Sequence, residues 1–145
     1  MLNNPNFQRQ VIMDHYEHPR NKKVNETYRS KRMDSDSCID DFTVYIDVQD
    51  GVIADVSFDG NGCTISTSSI SIMTELVKGE TVEQARLIAH EFMKMIHLED
   101  YDASLLKEAI VFENVGRQAN RIQCATLGWQ GLTIILNERE VENNG

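Results

Sequence analysis

Cys38, Cys63 and Cys124 are the residues of this chain best suited to chemistry. A thiolate is both a nucleophile and a soft metal ligand, and three thiolates with one carboxylate can complete the four-coordinate shell that zinc prefers. Asp40 lies two residues beyond Cys38. In an extended segment, residues i and i+2 point to the same side, so one ion could be held by both. No Cys-x-x-Cys pair is present, and the spacing alone leaves two readings open, inert buried thiols or metal ligands. An odd number of scattered cysteines does not suit the paired disulfide framework of a small secreted domain.

The elements that must position these residues follow from hydrophobic periodicity. Phe42, Val44, Ile46 and Val48 alternate with polar neighbours, Gln49-Asp50-Gly51 supplies a turn, and Val52, Ala54, Val56 and Phe58 alternate again. This predicts a hairpin with Cys38 just before it and Cys63 just after it, at one sheet end. Gly60 and Gly62 supply backbone freedom immediately before Cys63. A helix is expected from Thr64 to Lys78, stopped by Gly79, which puts Cys63 at a strand-to-helix corner. Thr81 with Gln84 forms a capping-box pattern for a helix running to about His97. An acidic break at Glu99–Asp102 precedes a shorter helical segment over Ala103–Phe112 and a loop around Gly116. The last helix starts near Ala119, carries Cys124 in its first turns, and ends in a polar tail from about Glu138 that is expected to fray. At the other end, Asn6–His18 reads as an amphipathic helix stopped by Pro19, and Asn21–Asp36 as a loop, a short edge strand, or both. A hairpin first and helices afterwards gives an α+β fold, a small antiparallel β-sheet with helices packed on one face, as a single domain over residues 1–145.

The formal net charge of −9 and the absence of a basic run argue against nucleic acid and anionic membrane as partners. The longest apolar stretches are far shorter than a membrane span, and the polar N-terminus lacks a signal-peptide pattern, so a cytoplasmic location is expected.

Three stretches carry a resemblance. They are Gln10-Val11-Ile12-Met13-Asp14-His15-Tyr16 with Pro19-Arg20-Asn21, Gly60-Asn61-Gly62-Cys63-Thr64-Ile65-Ser66, and Arg121-Ile122-Gln123-Cys124-Ala125-Thr126-Leu127-Gly128-Trp129. Together they resemble the U-type iron–sulfur cluster assembly family, especially its SufU branch. Gln123 stands where scaffold-type IscU proteins carry a histidine, and the stretch between Cys63 and Cys124 is longer than in scaffold-type members. Both features favour the SufU branch. The resemblance implies zinc held by Cys38, Asp40, Cys63 and Cys124. It also implies a zinc-dependent sulfurtransferase activity in which Cys38 accepts persulfide sulfur from a SufS-type cysteine desulfurase, for delivery to downstream iron–sulfur assembly proteins. Arg121 matches a family arginine linked to that exchange, and its guanidinium near Asp40 could hold the carboxylate. The alternative it implies is a scaffold that binds a transient iron–sulfur cluster. One departure stands out. The family usually reads Asn-Pro-x-Cys-Gly-Asp around the first cysteine, whereas here Asp36-Ser37 precede Cys38 and Ile39 replaces the glycine. A β-branched residue disfavours positive φ, so a different turn is expected there.

The remaining conspicuous residues are assigned to packing or to the surface. His90 and His97 are expected on a solvated helix face with Glu83 and Glu91, and His15 and His18 at the surface or facing a partner. Met93, Met95 and Trp129 are expected in the core. Gly60 and Gly62 lack the Lys-Ser/Thr pair of a phosphate loop.

Overall fold

The computed structural model describes residues 2–35 and 39–144, the last five in backbone only. Helix α1 spans Pro5–Glu17, with Asn4 as its cap: Asn4 Oδ1 accepts the N–H groups of Asn6 at 2.9 Å and Phe7 at 3.4 Å. Three strands follow, β1 (Arg29–Asp34), β2 (Asp41–Gln49) and β3 (Val52–Asn61), in an antiparallel sheet of order β1-β2-β3. The polar segment after α1 therefore holds both a loop and an edge strand. The hairpin turn uses Asp50 and Gly51, both at positive φ (53° and 76°), the pairing that matches strand twist in a two-residue loop.

The hairpin differs from the simple alternation in one place. Asp47 pairs with Asp55 but Val48 pairs with Ile53, which leaves Ala54 as an extra residue. Beyond the bulge the phase reverses, so Ile53 is buried while Val52 is half-buried and Ala54 exposed. Val56 and Phe58 then point inward beside Phe42, Val44 and Ile46.

That inner face carries the helices. Helix α2 (Thr64–Val77) is buried along nearly its whole length, and α5 (Ala119–Asn144) packs against both the sheet and α2. Small residues make this approach possible. A Cβ on Gly131 would come within 2.9 Å of Met33 Cγ, and one on Gly128 within 2.7 Å of Ile70 Cγ1. The hydroxyls of α2 find partners inside the core. Ser69 Oγ donates to Ala125 O at 2.6 Å and accepts the Trp129 indole N–H at 3.1 Å. Trp129 also stacks on Phe92 at 4.2 Å between ring centroids. Phe92 belongs to α3 (Val82–Ile96), whose cap Thr81 accepts the Gln84 N–H at 3.0 Å.

After α3 come a one-turn α4 (Ala103–Leu106) and 3-10 segments over Lys107–Phe112 and Val115–Arg117. Lys107 at φ 47° breaks what the pattern reads as one continuous helix. The α5 backbone stays helical through the polar tail to Asn144, where fraying is expected from composition. Among the described residues, no helix is long and apolar enough to cross a membrane.

Candidate metal centre

Three elements end at one place. Asp40 immediately precedes β2, Cys63 follows β3 as the cap residue of α2, and Cys124 lies in the second turn of α5. One ligand atom from each, a carboxylate oxygen and two Sγ atoms, all lie within 4.8 Å of one another. Cys38 falls outside the described residues.

The backbone geometry explains the convergence. Gly60 has φ +123°, and a Cβ there would meet Asp41 O at 2.1 Å. A Cβ on Gly62 would sit 2.6 Å from both Asp40 Oδ1 and the Phe42 ring. The two glycines let β3 pass close enough to the start of β2 for Asp40 to reach the α2 N-terminus. Asp40 is only 1% exposed, and its Oδ1 accepts the Cys63 N–H at 2.9 Å and the Ser66 hydroxyl at 2.8 Å. Cys63 Sγ in turn accepts the Ser66 N–H at 3.4 Å, so the amide end of α2 is turned toward the sulfur.

The electrostatics favour a cation. Burial, reinforced by the Cys63 thiol and the Asp40 carboxylate, pushes the Cys124 thiol far above its ordinary range. Three ionisable acids crowded in a largely buried site cannot all be anionic without a compensating positive charge. Two sulfurs and an oxygen suit zinc, which binds both atom types in a tetrahedral shell at roughly 2.0–2.3 Å. The donor set therefore fits that ion, and a fourth ligand would complete it.

Ile39 is 76% exposed. Arg121 and Gln123 are both exposed on α5. Arg121 lines a cleft of about 750 Å³ together with Cys63 and Cys124.

Sequence reasoning missed Ser66, which bridges Asp40 and Cys63. Its signal was available in the spacing, because the residue three beyond a helix cap is where a capping partner sits. It also misplaced two residues. His15 is 1% exposed, with Nδ1 at 2.7 Å from Ser71 Oγ and Nε2 against Glu108. Glu91 is buried, where it accepts the Asp102 N–H at 2.8 Å and pairs with Lys94. His18, His90 and His97 are exposed, as expected.

Residues 7–140 match the NifU-like N-terminal domain. The chain belongs to that family. This NifU-like domain is 37% identical over 125 residues to the zinc-dependent sulfurtransferase SufU of Bacillus subtilis, a match that covers 86% of this chain and 85% of the relative. It is 38% identical over 96 residues to the iron–sulfur cluster assembly scaffold protein IscU of Thermotoga maritima, covering 66% and 68%. Among solved structures, it superposes with a TM-score of 0.84 and 29% identity on a protein of Fervidobacterium islandicum AW-1 described as an iron–sulfur cluster assembly scaffold for the SUF system, covering 88% of this chain and 94% of that one. The α+β fold is thus shared with that solved structure.

Proposed function

We propose that this NifU-like protein acts in iron–sulfur cluster assembly as a zinc-dependent sulfurtransferase, taking persulfide sulfur on Cys38 from a SufS-type cysteine desulfurase. The observation that carries this reading is the meeting of Asp40, Cys63 and Cys124 within 4.8 Å, with Cys38 two residues before Asp40 in the chain. The resemblance to a relative named as a zinc-dependent sulfurtransferase supports it.

In this reading Cys38, Asp40, Cys63 and Cys124 hold the ion. When bound, zinc keeps coordinated thiols deprotonated and guarded from oxidation. The chain's own residues do the rest. The Cys63 N–H and the Ser66 hydroxyl fix the Asp40 carboxylate, and the α2 and α5 backbones fix the two sulfurs. The Cys38 thiolate attacks the outer sulfur of the desulfurase persulfide. The new S–S bond forms as the donor's S–S bond breaks, and the donor cysteine leaves as a thiolate, with no net oxidant required. Arg121, on the rim of the same cleft, is the candidate to hold the Asp40 carboxylate or the incoming anion. Free thiols at Cys63 and Cys124 suit a reducing, cytoplasmic setting.

The test is desulfurase turnover with zinc-loaded wild type beside Cys38→Ser, with persulfide followed on each cysteine by mass. Stimulation with the added sulfur on Cys38, both lost in the variant, is the expected result. No stimulation despite bound zinc overturns the reading. A second reading, a scaffold that carries a transient iron–sulfur cluster as cargo, draws on the relatives named as scaffolds. It requires that anaerobic reconstitution give a stable, transferable chromophore. Gln123 in place of a histidine ligand favours the sulfurtransferase.

A further inference from the structure

We infer that His15, Glu75 and Glu108 form a second metal site, which takes a divalent transition ion through one imidazole nitrogen and two carboxylate oxygens. The site lies apart from Asp40, Cys63 and Cys124 and does not depend on the sulfur-transfer reading.

The three residues come from three elements, α1, α2 and the 3-10 segment Lys107–Phe112. Their ligand atoms all lie within 4.8 Å of one another. His15 Nε2 is 3.7 Å from Glu75 Oε1 and packs directly against Glu108 Oε1. An ion bound at roughly 2.1 Å to each would hold its ligand atoms roughly 3 Å apart, so a small rotation of the half-exposed Glu75 side chain closes the shell. Along α2, Glu75 is three helical turns and more beyond Cys63, roughly 18 Å away, which separates the two sites.

The imidazole distinguishes this group from a patch of surface acids. His15 is 1% exposed, yet its Nε2 is turned toward two half-exposed carboxylates. The other ring nitrogen, Nδ1, lies 2.7 Å from Ser71 Oγ, a fully buried hydroxyl that also accepts the Arg20 backbone N–H at 2.9 Å. A metal-binding histidine needs this support, with one nitrogen held by a fixed partner so that the other faces the ion. The carboxylates keep capacity for an ion. Arg20 Nε stands 3.9 Å from Glu75 Oε1, and its guanidinium is engaged by Asp14 at 2.6 Å and by His18 O at 2.9 Å. A cavity of about 540 Å³ opens on Glu75 and Glu108, which leaves room for waters to complete the shell. On its wall Glu75, Glu80 and Glu108 outnumber Lys78 and Lys107, and Lys78 is drawn to Asp55 at 3.3 Å. One imidazole and two carboxylates, with no sulfur, suit Mn²⁺, Fe²⁺, Co²⁺ or Zn²⁺, and the imidazole discriminates against Mg²⁺ and Ca²⁺.

The experiment is a titration of the full-length, isotopically labelled protein with Mn²⁺, with one equivalent of zinc present to occupy the thiolates, read by paramagnetic broadening of amide signals. Saturable broadening is expected at the amides of His15, Ser71, Glu75 and Glu108, with those of Cys63 and Cys124 little affected. An excess of Mg²⁺ of about tenfold is expected to leave the broadening in place. Glu75→Gln is expected to weaken Mn²⁺ binding about tenfold or more. Glu75 is half-exposed and meets His15 and Arg20 only at 3.7 and 3.9 Å, so this variant keeps the fold. Glu80→Gln, on the same cavity wall but outside the group, is expected to bind as wild type does. No saturable broadening, broadening centred elsewhere, displacement by Mg²⁺, or unchanged affinity in Glu75→Gln would each overturn the proposal and leave His15 as a structural hydrogen-bonding residue. Neither Cys38 nor a desulfurase takes part in the measurement, so its failure is distinct from a failure of sulfur transfer.

Discussion

Ser66→Ala tests whether the metal centre is positioned from α2. The Asp40 carboxylate is 1% exposed and its Oδ1 accepts hydrogen bonds from the Cys63 N–H at 2.9 Å and the Ser66 hydroxyl at 2.8 Å. The substitution removes the second of these and opens only a hydroxyl-sized gap, so the cost is that of a hydrogen bond to a charged group, about 2 kcal/mol. For a domain of this size that corresponds to a fall in Tm of about 4–8 °C in the metal-free protein. Because Asp40 then loses the Ser66 hydroxyl that orients it, zinc affinity should fall roughly 10- to 100-fold, as is usual when a residue that orients a ligand is removed. Thermal unfolding and competition with a chromophoric chelator measure the two effects. Ser68→Ala is the control, since Ser68 Oγ donates to Thr64 O at 2.7 Å within the same helix and makes no hydrogen bond to Asp40, Cys63 or Cys124. If Ser66→Ala matches Ser68→Ala in zinc affinity, the idea that Ser66 positions the site is wrong.

Gly62→Ala places a Cβ 2.6 Å from Asp40 Oδ1 and from the Phe42 ring; zinc affinity in chelator competition should drop more than tenfold, while Gly51→Ala, with no atom within 4 Å of its Cβ, should destabilise only through its positive φ and leave zinc binding intact. Trp129→Ala removes the ring stacked on Phe92 at 4.2 Å and should cost roughly 3–5 kcal/mol, read as a fall in Tm on the order of 10 °C. Glu91 is held below its ordinary carboxylate range by the Asp102 N–H, against the opposing effect of burial and with help from Lys94. Its folded-state pKa is depressed, so its contribution is present above the unfolded value of 4.5 and fades as pH falls through the lowered folded value. Glu91→Gln should therefore flatten the acid limb of a stability–pH profile measured by urea unfolding, and an unchanged limb would remove Glu91 from the account.

The parts of the fold legible in the sequence are those where one periodic signal dominates. Phe42, Val44 and Ile46 alternate cleanly because one face of β2 is buried against α2 and α5, and Thr81 with Gln84 marks the start of α3 because capping is local. The bulge at Ala54 was not legible, since it depends on which residue of β2 faces which of β3. Strand β1 is ambiguous in the sequence because an edge strand with one half-buried face, Lys31 and Met33 alternating with exposed residues, carries little hydrophobic signal. His15 and Glu91 look like surface residues by type. Their burial rests on partners distant in the chain, Ser71 and Glu108 for one and the Asp102 amide for the other. At the site, the hairpin alone could place Cys63 beside the segment that holds Cys38 and Asp40. Bringing Cys124 there requires α5 to pack on α2, a long-range contact made possible by Gly128 against Ile70.

Under the proposed function, the residues of the site must divide their labour. An acceptor thiolate has to reach a donor on another protein, whereas the groups that hold a metal have to stay fixed. Cys63 is tied to the first turn of α2 through the Ser66 N–H, and Cys124 is buried in the second turn of α5. Asp40 is fixed by the Cys63 amide and the Ser66 hydroxyl. These three sit on elements whose positions are set by core packing. Cys38 instead falls in the chain between the end of β1 and the start of β2. Under the proposed function this arrangement is what the chemistry asks for, with three ligands on rigid elements and the acceptor on a strand-to-strand connection. Ile39, beside Cys38, lies exposed, while Asp40, one residue further on, keeps its hydrogen bonds to the Cys63 amide and the Ser66 hydroxyl.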